Sequence, residues 1–222
     1  MEIIQAYEFM RLEKEGKLAW LTFTRENHLN AMNNACINQI NRIEMDFHRR
    51  WEQALILFET MEKLAIVGMH GYCLGGALQL ALAADIRVST AECQIGLPAI
   101  KESLIPGLAT LRLPRYIGWG RAKKMILGGQ NIDGREALRI GLVDHIVPQE
   151  DFFTHLDKIA DDYLTACSLG TRMSKLVTNR AFDADYETIL QYYFELQQRA
   201  QFSPDAAEAK RAYLSKRKPN WQ

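Results

Sequence analysis

The sequence predicts an α/β body over residues 1–148 followed by an all-helical region over 151–222. Three observations carry this. Short apolar runs of strand length (LAIVGM at 64–69, IRVS at 86–89, CQIGL at 93–97, LVDHIVP at 142–148) alternate with helical patterns. No strand-like run follows Asp151. Beyond it apolar residues recur at helical spacing, first as Phe152, Leu156, Ile159, Tyr163 and Leu164, then as Ile189, Tyr193, Leu196 and Ala200. With 222 residues, 48% hydrophobic and 24% charged, the chain has ordinary globular composition and length enough for a real core.

Taken in order, EFMRLEK and LAWLTFT flank a Glu15-Gly16-Lys17 turn and read as a hairpin over residues 8–24. Asn27 to Asn30 ends that strand, and Asn30 is placed to cap a helix through Ala31, Ile37, Ile40 and Ile43. A second helix, about His48 to Lys63, puts Trp51, Leu55, Phe58 and Met61 near one face. The strand LAIVGM leads into His70-Gly-Tyr-Cys-Leu-Gly-Gly-Ala and then a helical LQLALAAD. Two short strands follow, Pro98 opens a loop, and Ile105-Pro106-Gly107 forms a turn. Residues 121–128 and 133–141 read as helices, the second with Gly141 in a C-cap position. The final strand is LVDHIVP, and 205–217 is the last helical pattern, closed by Lys218-Pro219.

Composition excludes several classes. Lys and Arg number 27 and so do Asp and Glu, so no charge excess steers the chain onto nucleic acid or anionic lipid. No apolar run approaches the roughly 18–20 residues of a membrane span. The N-terminal stretch carries acids early and has no apolar h-region, against a secretory signal. Cys36, Cys73, Cys93 and Cys167 form no C-x-x-C pair, which fits a reducing, cytoplasmic setting. The five histidines are scattered, so no metal site is expected.

The feature that stands out is strand, glycine loop, helix at 64–84. Gly71, Gly75 and Gly76 free the backbone for close approach to a ligand. Gly75 and Gly76 fall where the helix starts, and there the first amide N–H groups lack partners within the helix. Those donors and the positive end of the helix dipole suit a negative oxygen, either of a phosphate or of an enolate developing on a thioester carbonyl. The plain alternative is a tight turn that needs small residues. The spacing is not G-x-G-x-x-G and no Lys-Ser/Thr follows, so dinucleotide and P-loop readings fail.

Several ordered motifs carry a resemblance. HGYCLGGALQLALAADIRV, then IGLPAIKESLIPGLATLRLPRYIGWGRAKKMILGG, then IDGREALRIGLVDHIVP, resemble the enoyl-CoA hydratase/isomerase (crotonase) superfamily. The opening LTFTRENHLNAM and the closing SPDAAEAKRAYLSKRKPNW are also similar to it, so the likeness spans nearly the whole chain. It implies a crotonase-like spiral of β-β-α units with a C-terminal helical trimerisation region. It also implies a homotrimer or dimer of trimers, and binding of acyl groups as coenzyme A thioesters, coenzyme A entering with the substrate and not as a separate cofactor.

Under that resemblance the second oxyanion-hole amide falls on Gly76, with Leu74 and Gly75 beside it in the substrate-binding loop. The two glutamates that work on water in hydratases fall on Gln79 and Ala99. A glutamine amide orients water but does not exchange its proton near neutral pH, and alanine does neither. Positioned acid–base help is worth about 10²–10⁴-fold, so hydration by that pair is not expected. The family's loop of F-x-A-G-x-D type, source of the first oxyanion amide, has no counterpart: Asn30 and Gly71 are only 41 positions apart. Either the protein lacks half of that oxyanion hole, or a segment near Asp46–Phe47 is omitted from the sequence, in which case the two Cα atoms would stand much further apart than the about 3.8 Å of a covalent link.

Other candidates have ordinary alternatives. Glu102, beside Lys101, replaces a lost carboxylate if its loop turns inward; an isolated loop charge ordinarily faces water. Cys73 reads as a buried inert thiol, and His145, Asp144 and Asp85 as structural polar residues. The basic tail of Arg211, Lys216, Arg217 and Lys218 reads as a solvated face, while the resemblance adds Lys218 as a contact to the coenzyme A phosphates. The functional expectation is an acyl-CoA-binding protein with enolate-stabilising chemistry and non-standard acid–base residues. The alternative is a catalytically inactive relative that binds acyl-CoA or a partner subunit.

Overall fold

The structure is a computed structural model and describes residues 2–6, 10–23, 44–166 and 168–221. The helix expected from Asn30 through Ile43, Cys36 and Cys167 lie outside the described residues. The chain opens with an antiparallel sheet of β1 (Glu2–Ala6), β2 (Met10–Glu15) and β3 (Leu18–Phe23), in the order β1-β2-β3. β2 and β3 are the expected hairpin, turning at Gly16 with φ 57° and pairing Glu15 with Leu18. β1 was not legible, because its five residues, EIIQA, are too few for a two-residue period to show.

Helix α1 (Glu44–Thr60) runs without a break through Asp46 and Phe47, where the sequence pointed to a missing segment. β4 (Ile66–Met69), β5 (Tyr72–Leu74) and α2 (Gly76–Ala83) form the strand–loop–helix unit, with β5 a short strand where only a loop was expected. β6 (Ile86–Thr90) and β7 (Gln94–Gly96) follow, then a 3₁₀ turn over Pro98–Glu102 in place of the expected loop. Helices α3 (Ala109–Ile117), α4 (Trp119–Gly128) and α5 (Gly134–Arg139) precede the last strand, β8 (His145–Val147). Sequence reading did not identify α3, which carries an interior proline, Pro114. From there the described residues are helical: α6 (Phe152–Ala166), α7 (Leu169–Asn179), α8 (Tyr186–Gln201) and α9 (Pro204–Leu214). The last three begin at side-chain caps, Ser168, Asp185 and Ser203, each accepting a main-chain N–H three residues on.

Two parallel sheets organise the body. β4-β6-β8 form one, in that order, and β5 pairs with β7 in the other, Tyr72 opposite Gln94 and Leu74 opposite Gly96. Successive strands β4 and β5 thus join different sheets, as do β6 and β7, which winds the chain as a spiral of β-β-α units. The main core lies between these sheets and α2–α5 and contains Met69, Leu78, Leu82, Ile95, Leu97, Leu113, Ile117 and Leu142. A second cluster of Val88, Val147, Phe152 and Leu156 joins β6 and β8 to α6, and Trp20 of β3 packs on it. Buried Arg87 closes the seam. It donates to the carbonyls of Ala84 and Leu142, pairs with Asp144 at 2.7 Å and lies 4.1 Å above the Tyr116 ring. A buried cation is tolerated because carbonyls and a carboxylate replace its water.

Candidate active site

The site is built at the start of α2. Gly75 holds φ 56° and ψ −116°, a conformation that a side chain would strain, and its N–H donates to the Gly96 carbonyl at 2.9 Å. The β5–β7 pairing therefore continues one residue past the strand and fixes where the helix begins. Gln79 N–H returns to the Gly75 carbonyl at 3.0 Å, the first intrahelical bond. Between them stands half-buried Gly76, whose N–H has no acceptor among the described residues. The first turn carries no acidic side chain and no side-chain cap, so no side chain of the first turn itself offsets the positive end of the helix. The rest of α2 is apolar, with Leu78, Ala81, Leu82 and Ala83 buried, which anchors that end in the core.

Gln79 lies one turn further along. Trp51 Nε1 of α1 donates to Gln79 Oε1 at 2.9 Å. The next residue, Glu52, reaches the same place. Its Oε1 accepts Leu108 N–H at 2.7 Å and its Oε2 accepts Arg112 at 2.7 Å. Gly107, at φ 50°, makes this convergence possible. A Cβ there would lie 2.6 Å from Glu52 Oε1 and 3.0 Å from Gln79 Oε1. Buried Arg112 also binds Glu59 through Nε at 2.7 Å. Burial works against its charge, but Glu59 and Glu52 outweigh that and hold its pKa above the ordinary value. Trp51 and Glu52 escaped sequence reading as site residues. The available signal was an indole N–H on a core-facing helix, which needs an acceptor when covered.

The other expected residues divide. Leu74, Gly75 and Gly76 are consecutive at the junction of β5 and α2, and Gln79 follows three residues into the helix. Ala99 is half-buried in the 3₁₀ turn, three residues beyond the Gly96 that holds Gly75, and its carbonyl accepts Leu104 N–H at 3.0 Å. Glu102 is exposed, and its side chain has no ion pair or hydrogen bond among the described residues. Lys218 is exposed beyond α9. Its carbonyl accepts from Arg217 at 2.9 Å, and among the described residues no hydrogen bond or ion pair ties it to the glycine loop. Cys73 is buried, and burial, then neighbouring Cys93, pushes its thiol far above the usual range, so it is no nucleophile. Asp85 accepts Ala65 N–H, Asp144 accepts Arg87 N–H, and His145 stands 3.5 Å from the Tyr163 hydroxyl, all structural roles. Among the described residues no three His, Cys, Asp or Glu converge as a metal site, and no helix is long and apolar enough to cross a membrane.

This strand–loop–helix unit, set in a β-β-α spiral and followed by a helical region, defines a known class. The sequence profile of the family described as enoyl-CoA hydratase/isomerase matches residues 42–222, and the chain belongs to that family. It is 27% identical to the short-chain-enoyl-CoA hydratase of Clostridium acetobutylicum over 247 residues, covering 93% of this chain and 95% of that one. It is 28% identical to the crotonyl-CoA hydratase of Syntrophomonas wolfei over 256 residues, covering 97% and 98%. The crystal structure of an enoyl-CoA hydratase from Bacillus anthracis shares the fold, with a TM-score of 0.86 and 22% identity over 96% of this chain and 99% of that one. The two aligned stretches, 247 and 256 positions, are longer than this chain of 222 residues. The chain therefore lacks residues that both relatives carry, and the profile match begins at residue 42, close to Asp46.

Proposed function

We propose that this chain binds an acyl-CoA thioester at the start of α2, with the thioester carbonyl oxygen on Gly76 N–H. Its chemistry then runs through the enolate that forms beside that carbonyl, without water activation by paired glutamates. One observation carries the reading: the Gly76 N–H, without an acceptor among the described residues, at a helix end that Gly75 and Gly96 hold in place. A preorganised amide of this kind is worth roughly 10²–10³ in rate where negative charge develops on oxygen. Membership of the family supports the thioester as the oxygen's source. Coenzyme A is part of the substrate in this reading, and no separate cofactor takes part. Phe182, Tyr186, Phe202, Tyr213 and Leu214, exposed on and around α8 and α9, support self-association as a trimer or a dimer of trimers.

The test is incubation of the purified protein with crotonyl-CoA and a panel of short acyl-CoA thioesters, beside Gly76→Pro. Proline suits the first position of a helix and removes the donor. The expected result is loss of thioester binding and turnover in the variant, with its thermal melt reporting that the fold persists. Unchanged binding in a folded variant overturns the assignment.

A second reading, binding without turnover, has its own support. Gln79 is tied to Trp51, position 99 is a methyl group, and Glu102 is exposed. It requires tight binding with no product and no exchange of the substrate's α-protons with deuterated solvent.

A further inference from the structure

β4 lies at the edge of its sheet, whose order is β4-β6-β8. A strand turns its main-chain groups alternately to its two sides. Ile86 N–H donates to the Ala65 carbonyl at 3.1 Å, and β4 runs parallel to β6 with Ile66 opposite Ile86 and Gly68 opposite Val88. Val67 and Met69 therefore turn their N–H and C=O groups to β6, while Ile66 and Gly68 turn theirs to the open side. Both residues are half-buried, and those groups have no partner among the described residues. β3 ends the other sheet, β1-β2-β3. Its pairing with β2 across a two-residue turn, Glu15 with Leu18, leaves the main-chain groups of Ala19 and Leu21 pointing away from β2. The two open edges share one support. Trp20 of β3 and Ile66 of β4 pack on the cluster of Val88, Val147, Phe152 and Leu156, yet among the described residues no ladder joins β3 to β4. Trp20 Nε1 is also covered and without an acceptor among the described residues.

From these edges we infer that β4 accepts an extended segment of another polypeptide, an apolar strand that adds to the sheet beside β4 with β3 on its far side. An open edge is ordinarily blunted by a charge, a proline or a bulge. β1 has Glu2 and a shift of register between Ile3 and Gln5, whereas β4, IVGM, has none of these. The surroundings of β4 define the segment. Ile66 and Gly68 face α6, where a Cβ on Gly68 would lie 2.7 Å from Leu156, and Val67 and Met69 face the main core. A strand beside β4 is thus covered on both faces. It is a near-continuous apolar run, rich in valine and isoleucine, and not an alternating one. Main-chain bonds to Ile66 and Gly68 supply the pairing, and a charged side chain on either face would be buried unpaired. The segment comes from outside this chain, which lacks residues that the two hydratases carry. The inference stands apart from the thioester reading, although β4 leads into the glycine loop.

The test is amide hydrogen exchange of the intact protein, read by NMR, with and without an end-capped peptide of sequence Lys-Val-Ile-Val-Ile-Val-Lys. Two control peptides accompany it. One has proline for the central valine and cannot complete a ladder, and the other has glutamate for both isoleucines. At about nine-tenths saturation, exchange at Ile66, Gly68, Ala19 and Leu21 is expected to slow about tenfold with the first peptide and to stay unchanged with the controls. Leu21→Pro removes an N–H that points away from β2 and is expected to weaken peptide binding about 3- to 10-fold, the range of one neutral hydrogen bond. Exchange unchanged by the first peptide overturns the inference. Equal slowing by the proline peptide does so too, since it reports apolar contact without pairing. Slowing by the glutamate peptide overturns the apolar run. Slowing at Ile66 and Gly68 that rises with protein concentration, without peptide, overturns the choice of partner in favour of a second copy. Full affinity in Leu21→Pro, with a thermal melt showing the fold kept, removes β3 as the second wall.

Discussion

Lys175 Nζ lies 2.8 Å from an Asp85 carboxylate oxygen and donates to the carbonyls of Phe58 and Lys63, at 2.9 and 2.7 Å. One buried ammonium on α7 thus ties the helical region to the C-terminal end of α1 and to the residue before β6. Asp85 in turn accepts Ala65 N–H at 2.7 Å, just before β4. The strand that feeds the glycine loop is therefore tied, through Asp85, to the helical region.

Replacing Lys175 with alanine strands that carboxylate and two carbonyls. Breaking a buried pair by removing one partner costs about 3–5 kcal/mol. The denaturation midpoint in urea is expected to fall accordingly; a loss below about 1 kcal/mol would show that water replaces the ammonium at no great cost.

Gly107→Ala is expected to destabilise the protein by about 1–3 kcal/mol, read as a lower thermal midpoint. The residue sits at φ 50°, and the new Cβ would press on Glu52 and Gln79 oxygens. Because those atoms belong to the site, ligand affinity should fall with stability. Full affinity in the variant would mean that Gln79 moves freely.

The tail carries a pH dependence. Arg217, then the Asn220 N–H, hold the Glu208 carboxyl at about 2, against an ordinary value of 4.5. Because the folded pKa is the lower one, its contribution is complete above about 4.5 and is lost as pH falls through about 2. Proteolysis of the segment after α9 should quicken as the solution is acidified across that window, and Glu208→Gln should remove the dependence. A segment equally protected at both ends of the window would contradict this.

Hydration of crotonyl-CoA by the native protein is expected to lie at least about 10²-fold below that of a relative with both glutamates, measured as loss of the conjugated enoyl absorbance. Gln79 lacks an exchangeable carboxyl proton and Ala99 offers no group at all. Rates within tenfold of such a relative would require a water-activating residue elsewhere.

The hairpin, the strands at 66–69 and 86–90, and the tail helices α6, α8 and α9 were legible because their patterns are local; α7 (Leu169–Asn179) was not read as a separate helix. Apolar residues at the spacing of two or 3.6 residues need no partner to be recognised. The same holds for Gly76 at a helix start, since the glycines announce the turn. β1, β5 and α3 escaped because five residues, three residues and a helix with an interior proline carry too little periodicity. Their state is set by pairing with β2 and β7 and by packing of Leu113 and Ile117 in the core.

The sequence by itself determined the α/β body, the helical region that follows it and the glycines at a helix start, since each is a property of which residues occur and how they are spaced. Only the tertiary structure decided that Trp51 pins the Gln79 amide, that Glu52 stands beside it under Arg112, and that Glu102 faces outward. Those facts depend on contacts between segments 28 to 60 residues apart, whose direction no local spacing encodes.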